Sequence, residues 1–151
     1  MSINAKYVHT NLIARDWQRL ARFYKDVFGC TPAPPERDLS GQWLDDATGL
    51  AGAHIRGMHL RLPGCGDNGP TLEIFQYDQE EEQLSVAINR PGFAHLAFAV
   101  DNVEAARQAV LAAGGGALGQ TVFVPIPGKG IVTFAYLTDP EGNIIEVQRW
   151  R

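Results

Sequence analysis

The chain has 151 residues, of which 45% are hydrophobic and 20% charged, and its formal net charge is -4 at pH 7. A chain of this length suits one compact domain, or two half-size units that share a core. No apolar run approaches the roughly 20 residues that cross a bilayer. No cluster of Lys and Arg offers counter-charge for phosphates. We therefore expect neither a membrane segment nor a nucleic-acid partner.

The first residues and the cysteines predict a cytoplasmic protein. Residues 1–6 lack the apolar core of a secretory signal. Cys30 and Cys65 are isolated thiols without CxxC spacing, which is typical of a reducing compartment. We expect both thiols to be buried or inert rather than reactive.

The chain repeats one pattern of elements, and the first copy begins almost at once. An extended apolar segment at residues 7–13 is followed by Asp16, which can cap a helix. Apolar residues then recur at helical spacing over residues 17–28, and Gly29 ends the pattern. This first copy therefore predicts a strand followed by an amphipathic helix.

The second copy lies 86 residues further along, counted from His9 to His95. An extended segment at residues 93–100 is followed by Asp101, and Glu104 completes the pattern of a capping box. A second apolar stripe follows and ends in a run of glycines. His9 and His95 therefore occupy equivalent positions in the two halves.

Strands rather than further helix are predicted after each helix, because apolar and polar residues alternate between turn residues. A tight turn at residues 139–143 separates the last two of them. The predicted strands are residues 53–62, 71–77, 120–125, 131–138 and 143–150, with a weaker strand near residues 41–46. Each half is then βαβββ, with module one at about residues 5–80 and module two at about residues 91–151 of a single domain, residues 1–151.

One carboxylate lies inside the otherwise apolar last strand of each half, Glu73 in the first and Glu146 in the second. Burying a carboxylate is costly unless it is paired, hydrogen-bonded or bound to a cation. If the first and last strands of each half lie side by side in a curved sheet, His9, Glu73, His95 and Glu146 face one concavity. Two imidazoles and two carboxylates suit Zn, Ni, Fe(II), Co or Mn. We therefore predict one divalent metal ion per site.

A structural role is the alternative for every one of these residues. A lone strand histidine is more often a hydrogen-bonded structural residue, and a strand glutamate more often faces solvent. The equivalence of both pairs within the repeat favours the metal site. His54 and His59 differ in parity along one strand and match no partner in the second half, so we interpret them as structural or surface residues.

Strand parity also places side chains beside the predicted ligands, on the same face of the sheet. We predict that they contact substrate, with packing as the alternative. They are Tyr7 and Asn11 beside His9, Phe75 and Tyr77 beside Glu73, and Gln148 beside Glu146.

These motifs resemble the vicinal oxygen chelate superfamily, which includes glyoxalase I, methylmalonyl-CoA epimerase, extradiol dioxygenases and bleomycin or fosfomycin resistance proteins. The resemblance covers nearly the whole chain, and it rests on residues 8–12, 23–29, 72–75, 92–98 and 139–146. It implies a glyoxalase-like α+β fold, in which two βαβββ modules form a curved mixed sheet with the helices packed on its convex face. It also implies a homodimer, because such modules pair within or between subunits.

The ligand order His, Glu, His, Glu is similar to that of glyoxalase I, and it implies a metal-dependent lyase or isomerase. In such an enzyme the metal binds two neighbouring oxygens of a small-molecule substrate and stabilises an enediolate. By the same resemblance Glu146 is the first choice of catalytic base and Glu73 the second. Two alternatives stay open: an Fe(II) extradiol dioxygenase, and a drug-binding resistance protein without catalysis.

Overall fold

The computed structural model describes residues 1–151. The chain divides into two units, residues 1–82 and residues 83–151, and each unit contains one mixed sheet. Unit 1 contains β1 (His9–Ile13), α1 (Trp17–Phe28), β2 (Thr31–Ser40), α2 (Gln42–Thr48), β3 (His54–Arg61) and β4 (Thr71–Tyr77). Unit 2 contains β5 (His95–Ala99), α3 (Val103–Ala112), β6 (Gly116–Ala117), β7 (Val122–Ile126), β8 (Gly130–Thr138) and β9 (Ile144–Trp150). The predicted α+β class is confirmed. None of the helices is long and apolar enough to cross a membrane.

The four strands of unit 1 follow the order β1-β4-β3-β2, with β1 parallel to β4 and the other pairs antiparallel. The Asp16 carboxylate accepts a hydrogen bond from the Arg19 amide at 3.0 Å, so the predicted N-cap of α1 is confirmed. Gly29 ends α1 in the left-handed region, where glycine is favoured. The apolar stripe of α1, including the fully buried Leu20 and Tyr24, packs on β3 and β4.

Unit 2 repeats this arrangement around β9, which is parallel to β5 and antiparallel to β8. β6 pairs with the end of β8 near Thr138, and β7 pairs with its beginning near Gly130. The two short strands are therefore two pieces of one edge strand, which corresponds to β2 of unit 1. Helix α3 packs on β8 and β9.

The predicted capping box of α3 is wrong. Asn102 rather than Asp101 caps the helix, and its side chain accepts from the Ala105 amide at 3.0 Å. Glu104 is then one position too early to reach back to the cap, and it accepts from the Gln108 side chain at 2.9 Å instead.

The weaker strand predicted near residues 41–46 is also wrong, because residues 42–48 form α2 and the strand lies earlier, at Thr31–Ser40. Prolines argue against a strand in that stretch, but β2 is an edge strand, where lost amide donors are tolerated. Helix α2 is fixed by its buried Leu44 and by Asp45, whose carboxylate accepts from the amides of Gly52 and Ala53 at 2.8 Å each.

The two faces of the unit 1 sheet carry different residues. Gln76 lies on the α1 face, since its side chain accepts from the Trp17 amide at 3.3 Å. Leu72 and Ile74 share this parity and are fully buried. On the opposite face, Phe75 packs in a second apolar cluster with Leu44, Ala53 and Ile55, and Leu39 and Tyr77 pack against it. Helix α2 therefore covers one end of the face that does not contact α1.

His54 joins three segments of unit 1 through its two ring nitrogens. Nε2 lies 2.6 Å from the Asp38 carboxylate of β2, and Nδ1 lies 2.7 Å from the carboxylate of Asp78, which follows β4. Arg56 also donates to Asp78. The hydrogen bonds to Asp38 and Asp78 raise the pKa of His54 above its ordinary value, and the hydrogen bond from His54 is the main cause of the lowered pKa of Asp78. His54 therefore has a structural role.

This arrangement predicts a pH-dependent contribution of His54 to stability. A histidine whose pKa is raised in the folded state adds to the free energy of unfolding. The contribution is complete at pH values below the unfolded-state pKa, and it is lost as pH rises through the folded-state pKa. The lowered pKa of Asp78 acts at the acid end, where its contribution is lost as pH falls. We expect His54→Asn to lower Tm more at about pH 6 than at about pH 9, as measured by circular dichroism. Gln18→Ala, at an exposed position, serves as a control whose effect on Tm is expected to be the same at both pH values. An equal effect of His54→Asn on Tm at both pH values would contradict the prediction.

Candidate functional site

Strand register brings four polar side chains of unit 1 to one face of the sheet. Glu73 lies on β4, between β1 and β3. Its Cα partner on β1 is Asn11, and its Cα partner on β3 is His59. His9 precedes Asn11 by two residues, and side chains two apart on a strand share a face. His9, Asn11 and His59 therefore surround Glu73.

The Glu73 carboxylate is buried, with 9% of the residue exposed, and it has a polar neighbour on each side. Asn11 Nδ2 donates to Oε1 at 2.8 Å. His59 Nε2 lies 2.6 Å from Oε2, and His9 Nε2 lies 3.6 Å from Oε1. Burial lowers the pKa of His59 below its ordinary value, while the negative charge of Glu73 opposes that shift. These contacts compensate the desolvation of the Glu73 carboxylate.

The donor atoms of this cluster fit a divalent transition-metal ion. One nitrogen each from His9 and His59 and one oxygen from Glu73 all lie within 4.8 Å of one another. Imidazole nitrogens and carboxylate oxygens bind zinc at about 2.0 to 2.2 Å, which places neighbouring donors about 3 to 3.5 Å apart. Two imidazoles and one carboxylate are also a donor set that iron(II), nickel and cobalt accept.

Unit 2 contains the second predicted pair. His95 Nε2 lies 3.0 Å from Glu146 Oε2. Tyr136 is the Cα partner of Glu146 on β8, and its ring meets that of His95 edge-on with centroids 5.2 Å apart. Burial and the negative charge of Glu146 raise the pKa of the Tyr136 hydroxyl. The Cα partner of Glu146 on β5 is Ala97, which has no polar side chain to orient the carboxylate.

The two units are equivalent in register but differ in side chains. His9 corresponds to His95 and Glu73 to Glu146, as predicted from the repeat. The position opposite the glutamate is His59 in unit 1 and Tyr136 in unit 2. His59, interpreted from the sequence as a structural or surface residue, thus lies directly beside the Glu73 carboxylate, and its equivalent in unit 2 is not a histidine. No sequence signal finds this placement, because it depends on the register of the β3–β4 pair.

Of the predicted substrate contacts, two lie at the start of unit 1. Asn11 is part of the cluster because it donates to Glu73. Tyr7 is exposed, and its hydroxyl forms a hydrogen bond with that of Thr10. Their contact with substrate stays a prediction.

The other predicted substrate contacts have packing or local partners. Phe75 is buried in the apolar cluster beneath α2, and Tyr77 packs against that cluster. Gln148 accepts a hydrogen bond from Trp150 Nε1 at 2.7 Å. The packing alternative thus has direct support for Phe75, and a substrate contact by any of the three stays a prediction.

Comparison with known proteins decides the family. Residues 6–147 match the model of the Glyoxalase/Bleomycin resistance protein/Dioxygenase superfamily. The chain belongs to this superfamily. The resemblance inferred from the sequence motifs is therefore confirmed.

Individual members of the superfamily support this assignment. A probable lactoylglutathione lyase from Vibrio parahaemolyticus is 26% identical over 147 residues, which cover 95% of this chain and 90% of that protein. A glyoxalase family protein from Bacillus cereus has the same fold, with a TM-score of 0.82 and 14% identity over 99% of this chain and 96% of its own. A glyoxalase-related enzyme from Fulvimarina pelagi is 24% identical, with a TM-score of 0.58, over 95% of this chain and 87% of its own.

The two thiols of this superfamily member lie outside the His and Glu clusters. Cys30 is buried directly after α1, and burial raises its pKa to about 11. Cys65 is exposed. Because the thiolate is the reactive form, Cys30 stays protonated and shielded near neutral pH.

We therefore expect one fast-reacting thiol per native chain and two per unfolded chain in a titration with an aromatic disulfide reagent at about pH 8. Cys65→Ser removes the fast reaction, whereas Cys30→Ala leaves it in place. Two fast thiols in the native protein would contradict the burial of Cys30.

Proposed function

We propose that this protein is a metal-dependent lyase or isomerase of the glyoxalase type. Its substrate is a small molecule with two neighbouring oxygens and an acidic C–H bond beside a carbonyl. The observation that carries the proposal is the repeated side-by-side placement of a histidine and a glutamate in each unit, at 3.6 Å for His9 and the buried Glu73 and 3.0 Å for His95 and the half-buried Glu146. The likeness to a probable lactoylglutathione lyase supports it.

His9, Glu73, His95 and Glu146 are the proposed ligands of one divalent ion, which is Zn, Ni, Fe(II), Co or Mn by its donor set. When bound, the ion supplies Lewis acidity that stabilises negative charge on two neighbouring oxygens of the substrate. The Glu73 side chain is 11% exposed and the Glu146 side chain is 15% exposed. Because both carboxylates are largely removed from water, their attraction for a cation is strengthened.

Glu146 is the proposed base that takes a proton from the carbon beside the carbonyl and returns it to the neighbouring carbon. Glu73 is held by Asn11 and His59, one on each carboxylate oxygen. Glu146 has Ala97 where Glu73 has Asn11, so its carboxylate is less restrained. A base must approach within hydrogen-bond distance of the proton that it removes, and a less restrained carboxylate can do so.

Activity with a hemithioacetal of methylglyoxal and glutathione tests this assignment. At saturating zinc, nickel or cobalt we expect turnover by the unvaried protein and a loss of about 10²- to 10⁴-fold in kcat for Glu146→Gln. Glu36→Gln, a change of an exposed glutamate on β2, serves as the matched control with unchanged kcat. A Glu146→Gln variant with full kcat would remove Glu146 from the role of base. Absence of turnover with this and other α-hydroxycarbonyl substrates would refute the lyase or isomerase proposal.

An iron(II) dioxygenase acting on a catechol is the second candidate, because His9, His59 and Glu73 form a set of two imidazoles and one carboxylate. That set is typical of non-haem iron(II) oxygenases. Oxygen uptake with a catechol by protein loaded with iron(II), and not with zinc or nickel, would favour this reaction over the lyase. Drug binding without turnover under either condition would favour a binding protein.

Mixing two inactive variants tests whether one chain or two chains of a homodimer supply the four ligands. We expect His9→Ala and His95→Ala each to lose metal-dependent activity. If two chains contribute, a heterodimer of the variants contains one intact site, and co-refolding restores activity. If one chain supplies all four ligands, each variant chain lacks one, and mixing restores nothing. Sedimentation analysis of the same mixtures measures the oligomeric state.

A further inference from the structure

We propose that His59 is a metal ligand, so that unit 1 binds the ion through His9, His59 and Glu73. The inference rests on the proposed function, since it concerns the same ion. It also adds to that function, because it assigns the ion a nitrogen donor beyond the four proposed ligands.

Two imidazoles lie beside the Glu73 carboxylate. His59 Nε2 lies 2.6 Å from one carboxylate oxygen, and His9 Nε2 lies 3.6 Å from the other. The rings of His9 and His59 meet edge-on, with centroids 5.6 Å apart. A cation bound by Glu73 and His9 is therefore within reach of His59, which is the nearer of the two imidazoles to the carboxylate.

The other ring nitrogen of His59 already has a polar partner. Nδ1 lies 3.0 Å from the hydroxyl oxygen of Thr71. A histidine that binds a metal commonly donates its second N–H to such a group, which fixes the tautomer and the ring orientation. With Nδ1–H donating to Thr71, Nε2 has its lone pair free for the ion. In the other tautomer Nε2–H donates to Glu73, so the cluster is satisfied with or without an ion.

The His59 ring is held in place by packing. Its side chain is 17% exposed, and its ring lies edge-on to that of Phe75, with centroids 6.1 Å apart. Gly57 makes this contact feasible, because a Cβ there would lie 2.7 Å from Phe75 Cδ1 and 2.0 Å from the Ile74 carbonyl oxygen. A donor that is already ordered loses little entropy when it binds an ion.

The two units differ at this position. In unit 2 the residue opposite the glutamate is Tyr136, which has no nitrogen donor in its side chain. The additional imidazole therefore exists in one half only, where it joins His9 and Glu73 on one face of the sheet.

Cobalt(II) binding to the full-length chain, followed by visible absorption and equilibrium dialysis, tests the inference without any activity assay. We expect His59→Gln to weaken cobalt binding at least about 10-fold and to change the visible spectrum. Glutamine keeps an N–H that can donate to Glu73 but lacks the imidazole nitrogen, so a role limited to positioning Glu73 predicts little loss. Tyr136→Phe, at the equivalent position of unit 2, is expected to keep the affinity within about 3-fold, a smaller change than the loss of an outer-shell partner causes.

Two further measurements keep the outcomes distinct. Circular dichroism melts establish that His59→Gln is folded, and X-ray absorption of the cobalt-loaded proteins is expected to show one imidazole fewer around the ion in His59→Gln than in the unvaried protein. An equal number of imidazoles, or a folded His59→Gln with unchanged affinity and spectrum, would overturn the inference and leave the proposed function in place. Loss of binding in Glu73→Gln and His59→Gln but not in His95→Ala would support His59 as a ligand and overturn the shared four-ligand site. No cobalt binding by the unvaried protein would overturn both.

Discussion

A carboxylate in the middle of a sheet must be surrounded by hydrogen-bond donors or by a cation, because its desolvation is otherwise too costly. Glu73 meets this requirement through strands on both sides. The parallel neighbour β1 brings Asn11 and His9, and the antiparallel neighbour β3 brings His59. The strand order of unit 1 thus creates the cluster, since only a strand with β1 on one side and β3 on the other can place these groups around one carboxylate. The same order recurs in unit 2 around Glu146.

Much of this arrangement is predictable from the sequence. The repeat, the two long helices and the equivalence of the His and Glu positions follow from periodicity, because each depends on neighbours within one segment. Residues that depend on pairing between segments are harder to predict. His59 lies opposite Glu73 only in one register of β3 and β4, and the loop between those strands is too long to fix that register. Helix α2 and the proline-containing β2 are not predictable from the sequence for a related reason. The stability of α2 comes from burial of Leu44, and that of β2 comes from pairing with β3, rather than from their own sequences.

The two halves show how a duplicated unit can keep its backbone and change its chemistry. The backbone partners of the two glutamates are equivalent, yet Asn11 and His59 in unit 1 are replaced by Ala97 and Tyr136 in unit 2. Unit 1 therefore holds its carboxylate rigidly among polar groups, whereas unit 2 leaves its carboxylate with fewer restraints beside a phenol. In the proposed function Glu146 is the base, and a base must come within hydrogen-bond distance of the proton that it removes. Fewer restraints on its carboxylate favour that approach.

The prolines of β2 have a consequence for the outer edges of the sheets. Pro32, Pro34 and Pro35 remove three amide donors from β2, and Pro125 removes one from β7. The opposite edges, β1 and β5, contain no proline and lie at the ends of their sheets. An added strand would therefore find an uninterrupted row of amide groups only at β1 or β5. Pairing with an added strand is thereby favoured at the strands that contain His9 and His95 over the opposite side of each sheet.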